Sequence, residues 1–129
     1  MKPVFLGKES TGGESPTLYA TDRDSYVIQG WMVADLEILA LIEVPDDETL
    51  VEITPKLMTH LAKDGLLGTI TRFTHPIVHV KPNGNFIVQG ARVTDAEALA
   101  QMDIPDHETC VEVSKASVVS LLSGGGSWN

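Results

Sequence analysis

Residues 25–54 and 85–114 carry one pattern written twice, 60 positions apart and without a gap. Tyr26-Val27-Ile28-Gln29-Gly30 returns as Phe86-Ile87-Val88-Gln89-Gly90, and Val44-Pro45-Asp46-Asp47-Glu48-Thr49 as Ile104-Pro105-Asp106-His107-Glu108-Thr109. Of the 30 aligned positions 13 are identical, and most of the others exchange one apolar residue for another. Such a repeat restricts the fold to solutions that use one supersecondary unit twice. In a chain of 129 residues each unit is small. A body of that size buries a low fraction of its surface and is marginal alone. The two units are therefore expected to share one core.

Each unit opens with a β-hairpin. In the second, Ile77-Val78-His79-Val80 leads through Lys81-Pro82-Asn83-Gly84-Asn85 to Phe86-Ile87-Val88-Gln89. Asn-Gly is a hairpin signal because both residues tolerate positive φ. Gly30 and Gly90 end these strands. Thr94-Asp95-Ala96-Glu97 then has the form of a capping box, with Thr94 as cap. The first unit has Ala34 there and relies on Asp35. The helix that follows carries Leu39, Ala40 and Ile42, or Leu99, Ala100 and Met102, on one side. Pro45 and Pro105 stop it.

A third strand spans 49–53 and 109–113. Val51, Ile53, Val111 and Val113 lie on one face, Glu52 and Glu112 on the other. Thr54-Pro55 starts a second helix with Leu57, Met58, Leu61 and Ala62 as its apolar stripe. In the second unit Ser114 is the cap, and Val118, Val119, Leu121 and Leu122 form the stripe. Gly65 and Gly124 sit where C-terminal glycines belong. The expected fold is α+β: a tandem duplication of a β-β-α-β-α unit packed as one pseudo-twofold body. Units at 16–65 and 76–124 are joined by 66–75, a linker or, from Thr69 to Phe73, an extra strand. Residues 1–15 read as a flexible arm in which Val4-Phe5-Leu6 is a candidate edge strand, and 125–129 as a flexible tail.

The formal net charge of -9 disfavours direct nucleic-acid binding, which needs clustered Lys and Arg. It suits a basic partner. Cys110 is the single cysteine, so no intramolecular disulfide forms, and its position opposite Leu50 in the repeat points to a small apolar role. No apolar run approaches a membrane span and residues 1–16 lack the pattern of a secretory signal. A cytoplasmic protein is expected.

The Gln29-Gly30 and Gln89-Gly90 pairs have two readings. Glycine permits a tight bend while glutamine satisfies buried backbone groups, or the glutamines are symmetric contacts in a ligand cleft. The acidic runs at 45–48 and 105–108 read as solvated turns rather than as a cation loop, because their spacing does not alternate oxygen ligands. His75 and His79 fall four apart in an expected strand, roughly 13 Å from one another by strand rise. Neither these nor His60 and His107 belong to a metal-binding motif. No cofactor, metal or catalytic residue is expected. The differences between the units carry more information. Trp31 and Met32 become Ala91 and Arg92, Tyr19 becomes His79, and Leu41 becomes Gln101. Trp31 with Met32 would make half of an interaction surface, or Trp31 would cover the seam between units. The candidate binding residues are Trp31, Met32, Gln29, Gln89 and Arg92.

The run from Thr17 to Trp31, together with Ile104-Pro105-Asp106-His107-Glu108-Thr109-Cys110-Val111-Glu112-Val113, resembles small actinobacterial proteins of unknown function. Those proteins carry one unit with the pattern aromatic-Val-Val-Gln-Gly, then Val-Thr-Asp, then Ile-Pro-Asp-His-Glu-Thr. The resemblance covers most of residues 16–122, with departures at Ala34 and Asp47, and makes this chain a doubled form. Loose association of such proteins with loci encoding helix-turn-helix regulators implies a regulatory accessory role and carries over no catalytic residue. The expectation is a monomeric, non-enzymatic, acidic protein-interaction module that partners a basic DNA-binding transcriptional regulator. A competing reading is a small-ligand binder with its pocket at the seam near Gln29 and Gln89. A third is an enzyme in which symmetry pairs Glu52 with Glu112.

Overall fold

The two aromatic-led runs form long strands, and every strand pairing among the described residues is antiparallel. A computed structural model describes residues 1–9, 16–102, 104, 105 and 107–123. The fold is mixed α and β, mostly sheet with few helices. Its strands are β1 (Val4–Lys8), β2 (Thr17–Ala20), β3 (Ser25–Met32), β4 (Glu48–Ile53), β5 (Thr69–Ile70), β6 (Ile77–Val80), β7 (Phe86–Arg92), β8 (Glu108–Ser114) and β9 (Leu122–Ser123). The α-helices are α1 (Leu36–Leu41), α2 (Ala96–Ala100) and α3 (Lys115–Val119), and a 3-10 helix spans Pro55–Asp64.

The sheet closes on itself. β3 pairs with β8 from Ser25↔Ser114 to Trp31↔Glu108, and its last residues then meet β4 at Trp31↔Glu52 and Met32↔Val51. β4 pairs with β7 from Glu48↔Ala91 to Ile53↔Phe86, and the end of β7 meets β8 at Ala91↔Glu112 and Arg92↔Val111. β3, β4, β7 and β8 therefore form a ring in which each strand has a long ladder with one ring neighbour and a two-residue ladder with the other. β2 and β6 extend it as hairpin arms, and β1 adds to β2. Residues 4–8 are thus a strand, the candidate within the expected arm. The third strand of each sequence repeat pairs with the hairpin of the other. Two ladders and a shared apolar core join 16–65 to 76–124.

Strand alternation sorts the side chains into an inner and an outer layer. Tyr26, Ile28, Val51, Ile53, Val88, Val111 and Val113 point inward and meet Leu57, Met58 and Leu61 of the 3-10 helix and Val118 and Leu121 beyond β8. On the outside, Val27 and Cys110 pack with Met102 and Leu99, and Ile87 and Leu50 pack with Ile38 of α1. Gly30 and Gly90 stand where strands cross. A Cβ on Gly30 would lie 2.4 Å from the Glu52 carbonyl oxygen, and one on Gly90 would lie 2.7 Å from that of Glu112. Close approach of backbone, rather than a bulge, is what these positions need. In the hairpins only one residue of each turn takes positive φ, Asp24 at 57° and Gly84 at 90°.

Several local expectations change. The cap of α2 is Asp95, not Thr94; its carboxylate accepts from the backbone N–H groups of Glu97 and Ala98, as Asp35 does for Glu37 and Ile38. The aspartate sits at the position whose extended φ/ψ lets a short side chain reach back to the first turn. Residues 55–64 are 3-10 rather than α-helical, since apolar spacing alone does not separate the two. Thr54 makes no side-chain cap there, whereas Ser114 caps α3 through the Ser117 N–H. Helix α1 buries Ile38 and leaves Leu39 37% exposed, so its inner face is one position out of phase with the expected stripe. In the second unit Val119 is exposed and Leu122 belongs to β9. His75 lies in a turn, not in a strand. The extra strand within 66–75 is reduced to β5, paired with β9. Gly124 and the expected tail at 125–129 lie outside the described residues.

Candidate functional site

The two glutamines are buried, at 1% exposure for Gln29 and 6% for Gln89. Each faces outward from its strand and finds a carboxylate of the opposite sequence repeat. Gln29 Nε2 donates to Glu108 Oε1 at 2.7 Å. Gln89 Nε2 donates to Glu48 Oε1 at 2.7 Å and to the Glu43 carbonyl at 3.1 Å. Glu108 has a side chain with no exposed surface, with His107 Nε2 at 3.7 Å from its second oxygen. These contacts tie each glutamine to an acid, Glu108 fully enclosed and Glu48 half-buried. The Gln–Glu pairing was missed from sequence, although both partners recur unchanged in the two repeats.

Glu52 and Glu112 are likewise held apart in separate clusters. Asn85 and Lys81 donate to Glu52 at 2.8 and 3.0 Å. Ser25 Oγ donates to Glu112 at 2.5 Å, and the Arg23 guanidinium binds it as well. Each acid is matched to its own donors, which describes an ion-pair network at the hairpin tips.

Met32 and Arg92 do come together. They line one cleft of about 410 Å³ with Val33, Leu39, Val44, Asp46, Thr49 and Thr109. The cleft lies at the end of β3, where it pairs with β4, and both members of the pairs 32/92 and 49/109 reach it. The acidic turns frame this end of the ring. The Met32 N–H donates to the His107 carbonyl at 3.0 Å and the Arg92 N–H to the Asp47 carbonyl at 2.9 Å. Arg92 Nε also donates to the Asp46 carbonyl at 3.0 Å. Both turns are therefore fixed by the ends of the opposite strands. Trp31 is half-buried at the corner between Glu52 and Glu108, on the face opposite to Met32.

Met32 is 54% exposed and Leu36, on the adjoining helix α1, is 80% exposed. Leu36 and Leu39 lie three apart and so share a flank of the helix. Leu41, 73% exposed, lies beside His79, Lys81 and Pro82 across the other flank. This apolar exterior was not anticipated for Leu36 and Leu39, because the phase of so short a helix is set by one buried residue. Cys110 is buried in its apolar cluster, and burial pushes the thiol up to about 11, away from a reactive thiolate. Among the described residues no group of three or more His, Cys, Asp or Glu is arranged to hold a metal ion. Among them, too, no helix is long and apolar enough to cross a membrane. Compared with protein-family models, with curated proteins and with solved structures, the chain matches none.

Proposed function

We propose that this protein is a non-enzymatic acidic interaction module and that its partner is a basic, DNA-binding transcriptional regulator, which it serves as an accessory in the cytoplasm. The observation that carries the reading is an exposed apolar surface, Met32 with Leu36, on a chain of net charge -9. Apolar residues that remain exposed beside carboxylates suit a partner with apolar anchors and positive charge. The regulator itself is suggested by the sequence resemblance. Arg92 lines the cleft beside Met32, Trp31 stands on the opposite face of β3, and Gln29 and Gln89 tie the strands of the ring together.

We also infer that the chain is a tandem duplication of a β-β-α-β-α unit forming one pseudo-twofold body. The support is a set of bonds that recur 60 residues apart with the repeats exchanged: Gln29 to Glu108 and Gln89 to Glu48, Ser25 to Glu112 and Asn85 to Glu52. A body already paired within one chain needs no second copy, so the reading is of a monomer.

The test is recovery of partners by the tagged chain from its host lysate at low and high salt, with mass spectrometry. A helix-turn-helix protein held at low salt and lost at high salt is the expected outcome. Partner capture indifferent to salt would remove the acidic surface from the reading. A second reading, a small-ligand site, is favoured by the 410 Å³ cleft itself, which sits at Met32 and Arg92 rather than at the glutamines. A ligand that raises the unfolding temperature without any protein partner would support it.

A further inference from the structure

The surface that would meet a partner has a definite shape, and this inference rests on the interaction-module reading above. Met32 and Leu39 line the cleft with Val33 and Val44, and Leu36 stands one helical turn before Leu39 on the same flank of α1. The segment from Met32 to Asp47 contains five acidic residues and no Lys or Arg. Asp35 is engaged as the α1 cap, and Glu37 faces the Leu41 flank. Glu43, Asp46 and Asp47 are exposed on the turn beside Val44. Arg92 is the one cation among the lining residues, and its Nε is bound to the Asp46 carbonyl. The matching positions of the other repeat are Arg92 for Met32, Ala96 for Leu36 and Gln101 for Leu41. At these matched positions the first repeat is apolar where the second carries a cation, a small residue or an amide.

We propose that the groove between α1 and the 43–47 turn docks an amphipathic, Lys/Arg-rich helix of the partner, whose apolar stripe enters the cleft beside Met32, Leu36 and Leu39. Charge complementarity selects the occupant. An apolar stripe at i, i+3, i+4 and i+7 fits a helix-in-groove arrangement, and basic residues beside the stripe meet Glu43, Asp46 and Asp47. An acidic or uncharged helix would meet the same apolar walls without that attraction, and an acidic one against repulsion.

The experiment uses the full chain and three fluorescent peptides: an amphipathic Leu–Lys helix, a scrambled peptide of the same composition, and its Leu–Glu counterpart. Binding is followed by anisotropy across a salt series. The Leu–Lys helix is expected to bind, the scrambled peptide more weakly and the Leu–Glu helix not at all. The Met32→Ser and Leu36→Ser variants should each weaken binding about tenfold, with circular dichroism unchanged. Leu41→Ser, equally exposed but on the other flank, should leave binding unaltered. Asp46→Asn with Asp47→Asn should flatten the salt dependence. Salt-sensitive binding that ignores Met32 and Leu36, or falls equally with Leu41→Ser, overturns the groove and leaves the acidic module standing. A chain that binds none of the peptides, yet captures a regulator from lysate, likewise overturns the groove alone. Loss of both removes the module reading with it.

Discussion

Residues 32–41 and 92–101 come from equivalent places in the two sequence repeats, and they differ at one buried position, Ile38 against Ala98, and at several that face outward. Both segments leave the ring by the same route, with their first N–H bound to the opposite acidic turn. Both start a short helix on an aspartate cap and bury one residue, Ile38 or Ala98, against the sheet. Outside, Met32 and Leu36 stand against Arg92 and Ala96. The repeat is retained where backbones approach and buried polar groups need partners, and the change of character from Met32 and Leu36 to Arg92 and Ala96 falls on exposed positions. The shared skeleton and the divergent exterior can therefore be attacked separately.

The largest effect is expected at the strand crossings. A methyl group on Gly30 or Gly90 meets a backbone carbonyl, which a rotamer change cannot relieve. Gly30→Ala should cost about 3 kcal/mol and Gly90→Ala about 2 kcal/mol in urea unfolding. The order follows the contact distances, 2.4 against 2.7 Å. Equal and negligible losses would mean that the ring is looser than described.

Next come the glutamines. Gln29→Leu removes a donor from Glu108, whose side chain is fully enclosed, and should cost about 2–3 kcal/mol. Gln89→Leu removes a donor from Glu48, which is half-buried and open to rescue by water, and should cost about 1–2 kcal/mol. A reversed order would show that enclosure does not set the penalty here.

A smaller asymmetry lies in the core. Tyr26 and Phe86 are matched in sequence, but only Tyr26 has a hydroxyl, which donates to Asp64 Oδ2 at 2.6 Å beside Lys115. Burial, followed by the Asp64 bond, raises the phenol; the Tyr26 bond and then Lys115 lower the Asp64 carboxyl. The signs follow. The tyrosine contribution is present below about pH 10 and is lost as pH rises through the raised value; the aspartate contribution is present above about pH 4 and is lost as pH falls through the lowered value. Tyr26→Phe should cost about 1 kcal/mol at neutral pH and flatten the stability profile at both ends. An unchanged profile would dissociate the pair from stability.

Much of this architecture was legible in the residues, for identifiable reasons. The hairpins followed from Asn83-Gly84, the inward faces of β4 and β8 from alternation, and the end of the 3-10 helix from Gly65, which adopts φ 84°. What was hidden depended on distant contacts. Nothing local says that β8 inserts beside β3 or that β4 does so beside β7, because antiparallel ladders are sequence-tolerant in their choice of partner. The Gln–Glu tethers depend on that exchange and were hidden with it. Met32 and Arg92 were found through the difference between repeats, whereas Leu36 and Leu39 were assigned no surface role because a six-residue helix gives too little periodicity to fix its phase.

The caps offer the finest comparison of the two repeats. Asp35 Oδ1 accepts from Glu37 at 2.9 Å and from Ile38 at 3.4 Å; Asp95 Oδ1 accepts from Glu97 at 3.0 Å and from Ala98 at 3.2 Å. Their first turns are therefore closely alike, and Asp35→Ala should cost about 1 kcal/mol or less, as loss of an N-cap commonly does. Asp95 has a further partner, since its Oδ2 accepts from the Met1 amine at 2.9 Å. That bond, ahead of the Ala98 N–H, holds the Asp95 carboxyl below its ordinary value. Asp95→Ala should therefore destabilise more than Asp35→Ala, and acetylation of the Met1 amine should bring the two variants together. Thermal unfolding of the four proteins in low salt reads the difference. If acetylation leaves the gap between the variants intact, the difference between the helices lies in their packing, Ile38 against Ala98, and the amine contributes nothing to it.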